Sequence, residues 1–458
     1  MSAAPPPAAP GAGTDADAGP ACDAGPDVGA GADLVGLADL VELVVGDPAA
    51  GGGCVARAPD GRVVFVRHSL PGERVVARVT AETAHYLRAD AVEVRTASPE
   101  RVAPPCPAAG PGGCGGCDYQ HVALDAQRRL KGRLVEVQLE RLGGLRRQVE
   151  VEALPGSPDG LGWRTRVRFA ADRAGNLGLH RHRSHELVPL GSCPLAAPEV
   201  AALDVVGRRW PGARHVEVLA VDTPDAPSAL VTVDAPRPLP RSTLPRLGAG
   251  VGLTVAGRSR HGAGHVVATA GGRRYVVSAG AFWQVHRAAA DALVAAVLDL
   301  LDPRPGEHVA DLYAGVGLFS VPLGAAVGPR GKVIAVERHR AASADLVTNT
   351  ALLPAVEVRV GAVEPSSVLD GGRLDLVVLD PPRAGAGTAV MAALDARRPR
   401  AVAYVACDPA SFARDARVLL DAGWSLAALR AFDAFPMTEH VELVALLVPP
   451  GALHEAGR

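Results

Sequence analysis

The segment YVACDPASFARD, Tyr404 to Asp415, carries a short apolar run into a cysteine and then turns through Asp408 and Pro409. A strand ending in such a turn presents its last side chain at the carboxyl edge of a sheet, where open α/β folds hold their ligands. A thiol at that edge can serve as nucleophile and then as leaving group. Methylation of a pyrimidine at C5 needs both, because that carbon attacks a sulfonium methyl only after its electron density is raised. A thiolate adding at C6 does this by making C5 enolate-like. Cys407 is therefore a candidate nucleophile, and Arg414 in the same segment is a candidate cation to favour its thiolate. C5 must afterwards lose its proton, and FPMTEHVEL supplies three candidate acceptors, Glu439, His440 and Glu442.

A methyl donor needs its own seat. VADLYAGVGLFS sets Asp311 at a strand end before Gly315 and Gly317, which allow close backbone approach at a helix N-terminus. Ser320 stands where a dinucleotide fingerprint has its third glycine, which weighs against a nicotinamide. Glu337 closes the next strand, KVIAVE, where a carboxylate can accept hydrogen bonds from both ribose hydroxyls. In LVVLDPPRAG, Asp380 ends a strand and two prolines stiffen the turn that follows. Amino-group methyltransferases usually end this turn in an aromatic that stacks on the base, and Arg383 replaces it. That exchange also favours a carbon target.

A second constellation lies upstream. Cys106, Cys114 and Cys117 fall within CPAAGPGGCGGC, and Cys193 in LGSCPL is a distant fourth. Four thiolates with one Cys-x2-Cys pair suit tetrahedral zinc or an iron–sulfur cluster, and spacing alone favours zinc. Cys54 reads as a small packing residue.

The elements that must position these groups divide the 458 residues into four regions. Residues 1–33 are Ala, Pro, Gly and Asp with almost nothing to bury, and read as a disordered tail. Residues 34–97 hold short strand-like runs parted by turn residues, as in a small β-barrel. Residues 98–280 form a cysteine-bearing central α+β region, and 281–450 alternate strands and helices, the pattern of a doubly wound parallel sheet. No apolar run is long enough to span a bilayer, and the seven cysteines form no disulfide pattern, so the expected location is cytoplasmic. Net charge is −2, and nearly all the positive charge is arginine, which suits phosphate. Arg164, Arg166, Arg168, Arg181 and Arg183 are candidate phosphate contacts.

Taken together, DLYAGVGLFS, VVLDPPRAG, YVACDPASFARD and FPMTEHVE resemble the S-adenosylmethionine-dependent RNA 5-methyluridine methyltransferases of tRNA and 23S rRNA. VRHSLPGERVVARV resembles that family's TRAM barrel, and GAFWQVH the entry to its catalytic domain. The resemblance implies a Rossmann-like class I methyltransferase domain behind a TRAM barrel. It implies S-adenosylmethionine as cofactor, structured RNA as substrate and a monomeric enzyme. By motif, Cys407 matches the nucleophile, Glu442 the base, and Gln284, Tyr313, Glu337 and Asp380 the cofactor contacts. It also turns the preference at Cys106, Cys114, Cys117 and Cys193 to a [4Fe–4S] cluster, although the first gap is longer than in the family. His286 stands where the family reads Asn. Two alternatives stay open: a cytosine-C5 methyltransferase using the same thiol chemistry, and a catalytically silent RNA-binding or iron–sulfur protein.

Overall fold

The structure is a computed structural model that describes residues 40–370 and 372–451; the expected tail, 1–33, lies outside them. The first layer is a six-stranded sheet in which Leu40–Val44, Arg74–Glu82, Tyr86–Thr96, Val63–Arg67, Gly53–Arg57 and Pro48–Ala49 lie side by side. VVFVR shows how it builds a core. Val64 and Val66 are fully buried while Val63 and Phe65 are half-exposed, a period of two that gives each strand one apolar face. Cys54 packs in that small core, as expected.

The next body is a seven-stranded sheet running from Leu187–Pro189 at one edge to Arg258–His261 at the other. Its core holds Phe169, Trp210, Val216, Val218, Val231 and Val233.

The catalytic sheet has eight strands. In spatial order they are Val356–Val360, Lys332–Glu337, His308–Leu312, Leu376–Leu379, Ala401–Ala406, Glu442–Val448, Ser425–Asp433 and Val151–Ala153. The first five pair in parallel, and Glu442–Val448 runs antiparallel to both neighbours. Chain order reverses between His308–Leu312 and Leu376–Leu379, which opens a crevice at their carboxyl ends. Ala401–Ala406 is buried at every residue, as a central strand covered on both faces must be.

The packing of 98–280 is shared among these bodies. Helix Leu124–Gly143 lies on helix Pro409–Asp421, with Val135 and Leu139 in one core with Phe412 and Ala416. Strand Val151–Ala153 pairs with Ala431–Asp433 and so extends the catalytic sheet. The hairpin His265–Ala270 and Arg273–Ser278 buries Tyr275 and Val277 with Val294 and Leu318 of the catalytic layer. Short apolar runs carry no sign of which sheet they join, so the sequence texture changes where the cores do not.

Lys131 fastens the two ends of the chain together. Its fully buried ammonium lies 2.5 Å from Asp433 Oδ1 and donates to the Phe435 carbonyl at 2.9 Å. Burial pushes its pKa down while Asp433 pulls it up. Removing one member of such a pair leaves the other charge buried and unpaired. Lys131→Met is expected to lower stability by about 3–5 kcal/mol, measured by thermal melting. Lys131→Met combined with Asp433→Leu should recover much of that loss.

Candidate active site

The crevice begins at the glycine turn. Strand His308–Leu312 ends in Tyr313 at φ +64°, followed by Gly315 at +57° and Gly317 at +95°. A Cβ on Gly317 would lie 2.8 Å from Leu346 Cδ1, so this turn hugs the helix behind it. Glu337, at the end of the neighbouring strand, accepts from the Gly315 amide at 2.8 Å and the His339 amide at 2.6 Å. Its carboxylate therefore stands across the turn at the crevice mouth. Asp311 is buried beneath, accepting from the Ser320 hydroxyl; burial, with Asp380 and Glu337 nearby, raises its pKa to about 7. Gln284 is nearly buried, yet its carboxamide makes no hydrogen bond among the described residues. The preceding Trp283 packs on Tyr275, whose hydroxyl donates to Leu318 O at 3.3 Å, which ties this segment to the glycine turn.

The reacting edge lies two strands along. Leu379 pairs with Tyr404, and Ala406 pairs with Leu443, so Asp380, Cys407 and Glu442 emerge together where those ladders end. Cys407 is half-buried, and its thiol is pushed up by burial, then by Glu442 and Asp380, with Arg383 opposing. Burial and Asp380 raise Glu442 well above the usual carboxylate range, and partial burial lifts Asp380 to about 7. A protonated Glu442 removes the charge that most opposes a thiolate. The cation beside Cys407 is Arg383 rather than Arg414, which points outward from its helix. Arg383 Nη2 also lies 3.3 Å from His440 Nε2.

The turn carrying Asp380 and Arg383 is pinned by a residue whose role the motif did not reveal. Asp415 accepts from the Tyr404 hydroxyl at 2.6 Å and from the Ala386 amide at 2.6 Å. A Cβ on Gly385 would come within 2.6 Å of that carboxylate, hence the glycine in PRAGAG. Asp408 caps the following helix by accepting from the Ser411 amide at 2.7 Å, which fixes the backbone just past Cys407.

Three of the residues singled out in the sequence take structural places. Glu439 accepts from the Gly51 and Gly52 amides, while Glu442 emerges beside Cys407 where their ladder ends. His286 is a structural imidazole: Nδ1 accepts from the Ala288 amide at 3.1 Å, so Nε2 carries the proton and donates to Ser157 Oγ at 3.1 Å. It stacks on Trp163, and burial lowers its pKa to about 4. Arg166 is not a free phosphate contact, since it is buried against Glu217 and the Ala281 carbonyl.

Cys106, Cys114, Cys117 and Cys193 line one pocket with Gln120 and Leu195. Gln120 donates to Cys117 Sγ at 3.1 Å and the Gly116 amide donates to Cys114 Sγ at 3.4 Å. The Cys117 thiol is pushed up by burial and, further down, by Cys193 and Cys114. Among the described residues no three His, Cys, Asp or Glu side chains are grouped closely enough to hold a metal ion, so neither the cluster nor the zinc expected at these cysteines is shown.

An open sheet with this strand reversal, a glycine turn faced by a ribose-height carboxylate and an Asp-Pro-Pro turn define a class I methyltransferase. Residues 40–92 match the TRAM domain family and 268–449 match the family described as tRNA (Uracil-5-)-methyltransferase. An uncharacterized RNA methyltransferase of Streptomyces avermitilis is 46% identical, the match covering 89% of this chain and 98% of the relative. The 23S rRNA (uracil(1939)-C(5))-methyltransferase RlmD of Thiobacillus denitrificans is 34% identical over 84% of this chain and 95% of its own length. In fold, the chain is similar to Pyrococcus abyssi tRNA (uracil-54, C5)-methyltransferase in complex with S-adenosyl-L-homocysteine. There the TM-score is 0.65 at 22% identity, covering 89% of this chain and all of that one. The chain belongs to the S-adenosylmethionine-dependent RNA uracil-C5 methyltransferases.

The crevice acids carry a pH signature. An acid whose pKa rises on folding costs nothing while protonated in both states, and destabilises the fold once pH passes from its unfolded value to its folded value. For Asp311 that window runs from 3.8 to about 7. The cofactor-free protein should lose melting temperature across it. Asp311→Asn should melt higher than the parent near pH ~8, and the difference should vanish below about pH 4.

Proposed function

We propose that this enzyme methylates C5 of a uridine in 23S rRNA through a covalent bond between Cys407 and C6. The observation that carries the mechanism is the convergence of Cys407, Glu442 and Asp380 at one sheet edge with Arg383 beside them. The choice of RNA rests on relatives described as 23S rRNA (uracil(1939)-C(5))-methyltransferases, 34% and 32% identical. Mapping 5-methyluridine in 23S rRNA and tRNA from cells with and without the gene tests it; loss from tRNA alone would reverse the choice.

S-adenosylmethionine supplies the methyl group on a positively charged sulfur. Glu337 is suited to hold the ribose hydroxyls, Gln284 offers a carboxamide, Tyr313 flanks the turn, and Asp380 stands between this seat and the thiol. The target uridine must leave its stack to reach Cys407, at a cost of a few kcal/mol. The Cys407 thiolate adds to C6, and the electron pair displaced to C5 takes the methyl group. Glu442 then removes the C5 proton, the C5–C6 double bond re-forms, and the C6–S bond breaks to return the thiolate. The net reaction exchanges a hydrogen on C5 for a methyl and releases one proton. Glu442 must be ionised at that moment, and Arg383 is the cation that favours it.

Glu442→Gln keeps the side chain's size but cannot accept the proton. Addition and methyl transfer should survive while elimination stalls by ~10²–10⁴-fold, the usual worth of a general base. A methylated enzyme–RNA adduct should then persist in denaturing gels, and Cys407→Ala should form none. Normal turnover by Glu442→Gln would overturn the assignment.

We propose that Cys106, Cys114, Cys117 and Cys193, which line one pocket, hold a [4Fe–4S] cluster, with zinc as the alternative. A cluster spreads its thiolates over four irons and needs no tight triad, and its sulfurs take amide hydrogen bonds of the kind Gln120 and Gly116 supply. Its role would be to tie the Cys193 loop to the Gly-rich loop. Anaerobically purified protein should be brown and contain iron, and Cys117→Ser should lose it; stoichiometric zinc without iron would overturn this.

A further inference from the structure

The segment between Asp433 and Glu442 carries the general base, yet almost everything that holds it comes from the other end of the chain. Lys131 donates to Phe435 O, Gln127 accepts from the Met437 amide at 2.8 Å, and the Asp118 and Tyr119 amides donate to Met437 O at 3.0 and 2.9 Å. Met437 itself sits at φ +68°, a conformation that needs such support. The last tether before the base is Glu439. One carboxylate oxygen accepts from the amides of Gly51 and Gly52, each at 2.6 Å, in the barrel turn between Pro48–Ala49 and Gly53–Arg57. Consecutive amides aimed at one carboxylate oxygen form a concavity of the kind that binds anions elsewhere; burial and Asp118 raise the Glu439 pKa to about 7, and the Gly52 and Gly51 amides are what pull it back toward the ionised form. Here both glycines have positive φ, +94° and +72°, and a Cβ on Gly52 would lie 2.4 Å from Asp118 Cγ. The turn is thus built around Glu439 and Asp118, and the Glu439 amide reaches back to Asp118 Oδ2 at 3.4 Å.

We infer that Glu439 is a positioning residue for proton removal. By binding the barrel turn, it fixes the loop that aims Glu442, so the barrel that engages RNA also sets the base. It does not touch the reacting atoms. The inference rests on the proposed roles of Cys407 and Glu442, and its consequence is confined to the elimination step. Without the carboxylate the loop loses its barrel tether three residues before the base, while Cys407, on its own strand, keeps its place.

The test follows adduct formation and adduct decay separately in single turnovers, alongside cofactor affinity and melting temperature. Glu439→Ala should form the Cys407 adduct at near the parent rate with unchanged cofactor affinity, and release it on the order of 10- to 100-fold more slowly, the scale of a misplaced catalytic group. Glu439→Gln still offers an oxygen to both amides and should restore most of the decay rate. Gly52→Ala should reproduce the slow decay from the barrel side, without adding to Glu439→Ala, because both break one contact. Parental decay in Glu439→Ala would overturn the inference, as would an equal loss of formation and decay that tracks melting temperature. Slow decay in Glu439→Gln as in Glu439→Ala would point instead to a proton-transfer role and also overturn it. A parent that turns over without any adduct would reject the covalent chemistry itself, an outcome distinct from these.

Discussion

Three acids and a thiol share one poorly solvated sheet edge, and most of the molecule is arranged around the tension this creates. Asp311, Asp380 and Glu442 each have a raised pKa, and the two nearest Cys407 oppose its ionisation. Like charges so placed cannot all be ionised at once. In the cofactor-free site each of these groups is therefore shifted toward its protonated form. Arg383, on a turn pinned by Asp415, is the cation the protein itself provides.

Keeping such a site in register requires support from several directions. Parallel strands place Asp380 and Cys407, while antiparallel insertion of Glu442–Val448 brings the base in from the opposite chain direction. Its loop has no regular partner in the sheet and so leans on helix Leu124–Gly143, the Gly-rich cysteine loop and the barrel. Cys117 directly precedes Asp118, so the order of the cysteine loop bears on the same tether. The seven-stranded sheet has a core of its own but also lends Leu219 and Leu230 to the catalytic core, and it meets the Gln284 segment through Thr165, which donates to Val285 O, and Arg166, which donates to Ala281 O.

Much of this was legible in the residues alone. Alternating strand and helix texture after 281 implied the parallel sheet, because strands covered on both faces read as continuous apolar runs such as AVAYVA. The site was readable because strand ends followed by Gly, Asp-Pro or Asp-Pro-Pro turns mark the carboxyl edge: Asp311, Glu337, Asp380 and Cys407 all fell there. The structure brings Glu442, which the motif had singled out, to the same edge as Cys407.

Other features depended on contacts between residues far apart in the chain, and no local pattern encodes those. Arg383 and Arg414 are equivalent as charges in the sequence, and only the direction of the Pro409–Asp421 helix decides that Arg383 faces the thiol. Glu439 and Glu442 are likewise two acids of one short segment, and they differ in surroundings because Gly51 and Gly52 arrive from 388 and 387 residues away to engage the first. Val151–Ala153 and Lys131 join the catalytic body for the same reason, since pairing register and buried charge are properties of the folded chain. The sequence determined which chemistries were available and where strands would end. The tertiary structure decided which of several like groups comes to lie beside Cys407, because burial and partner distance set both direction and pKa.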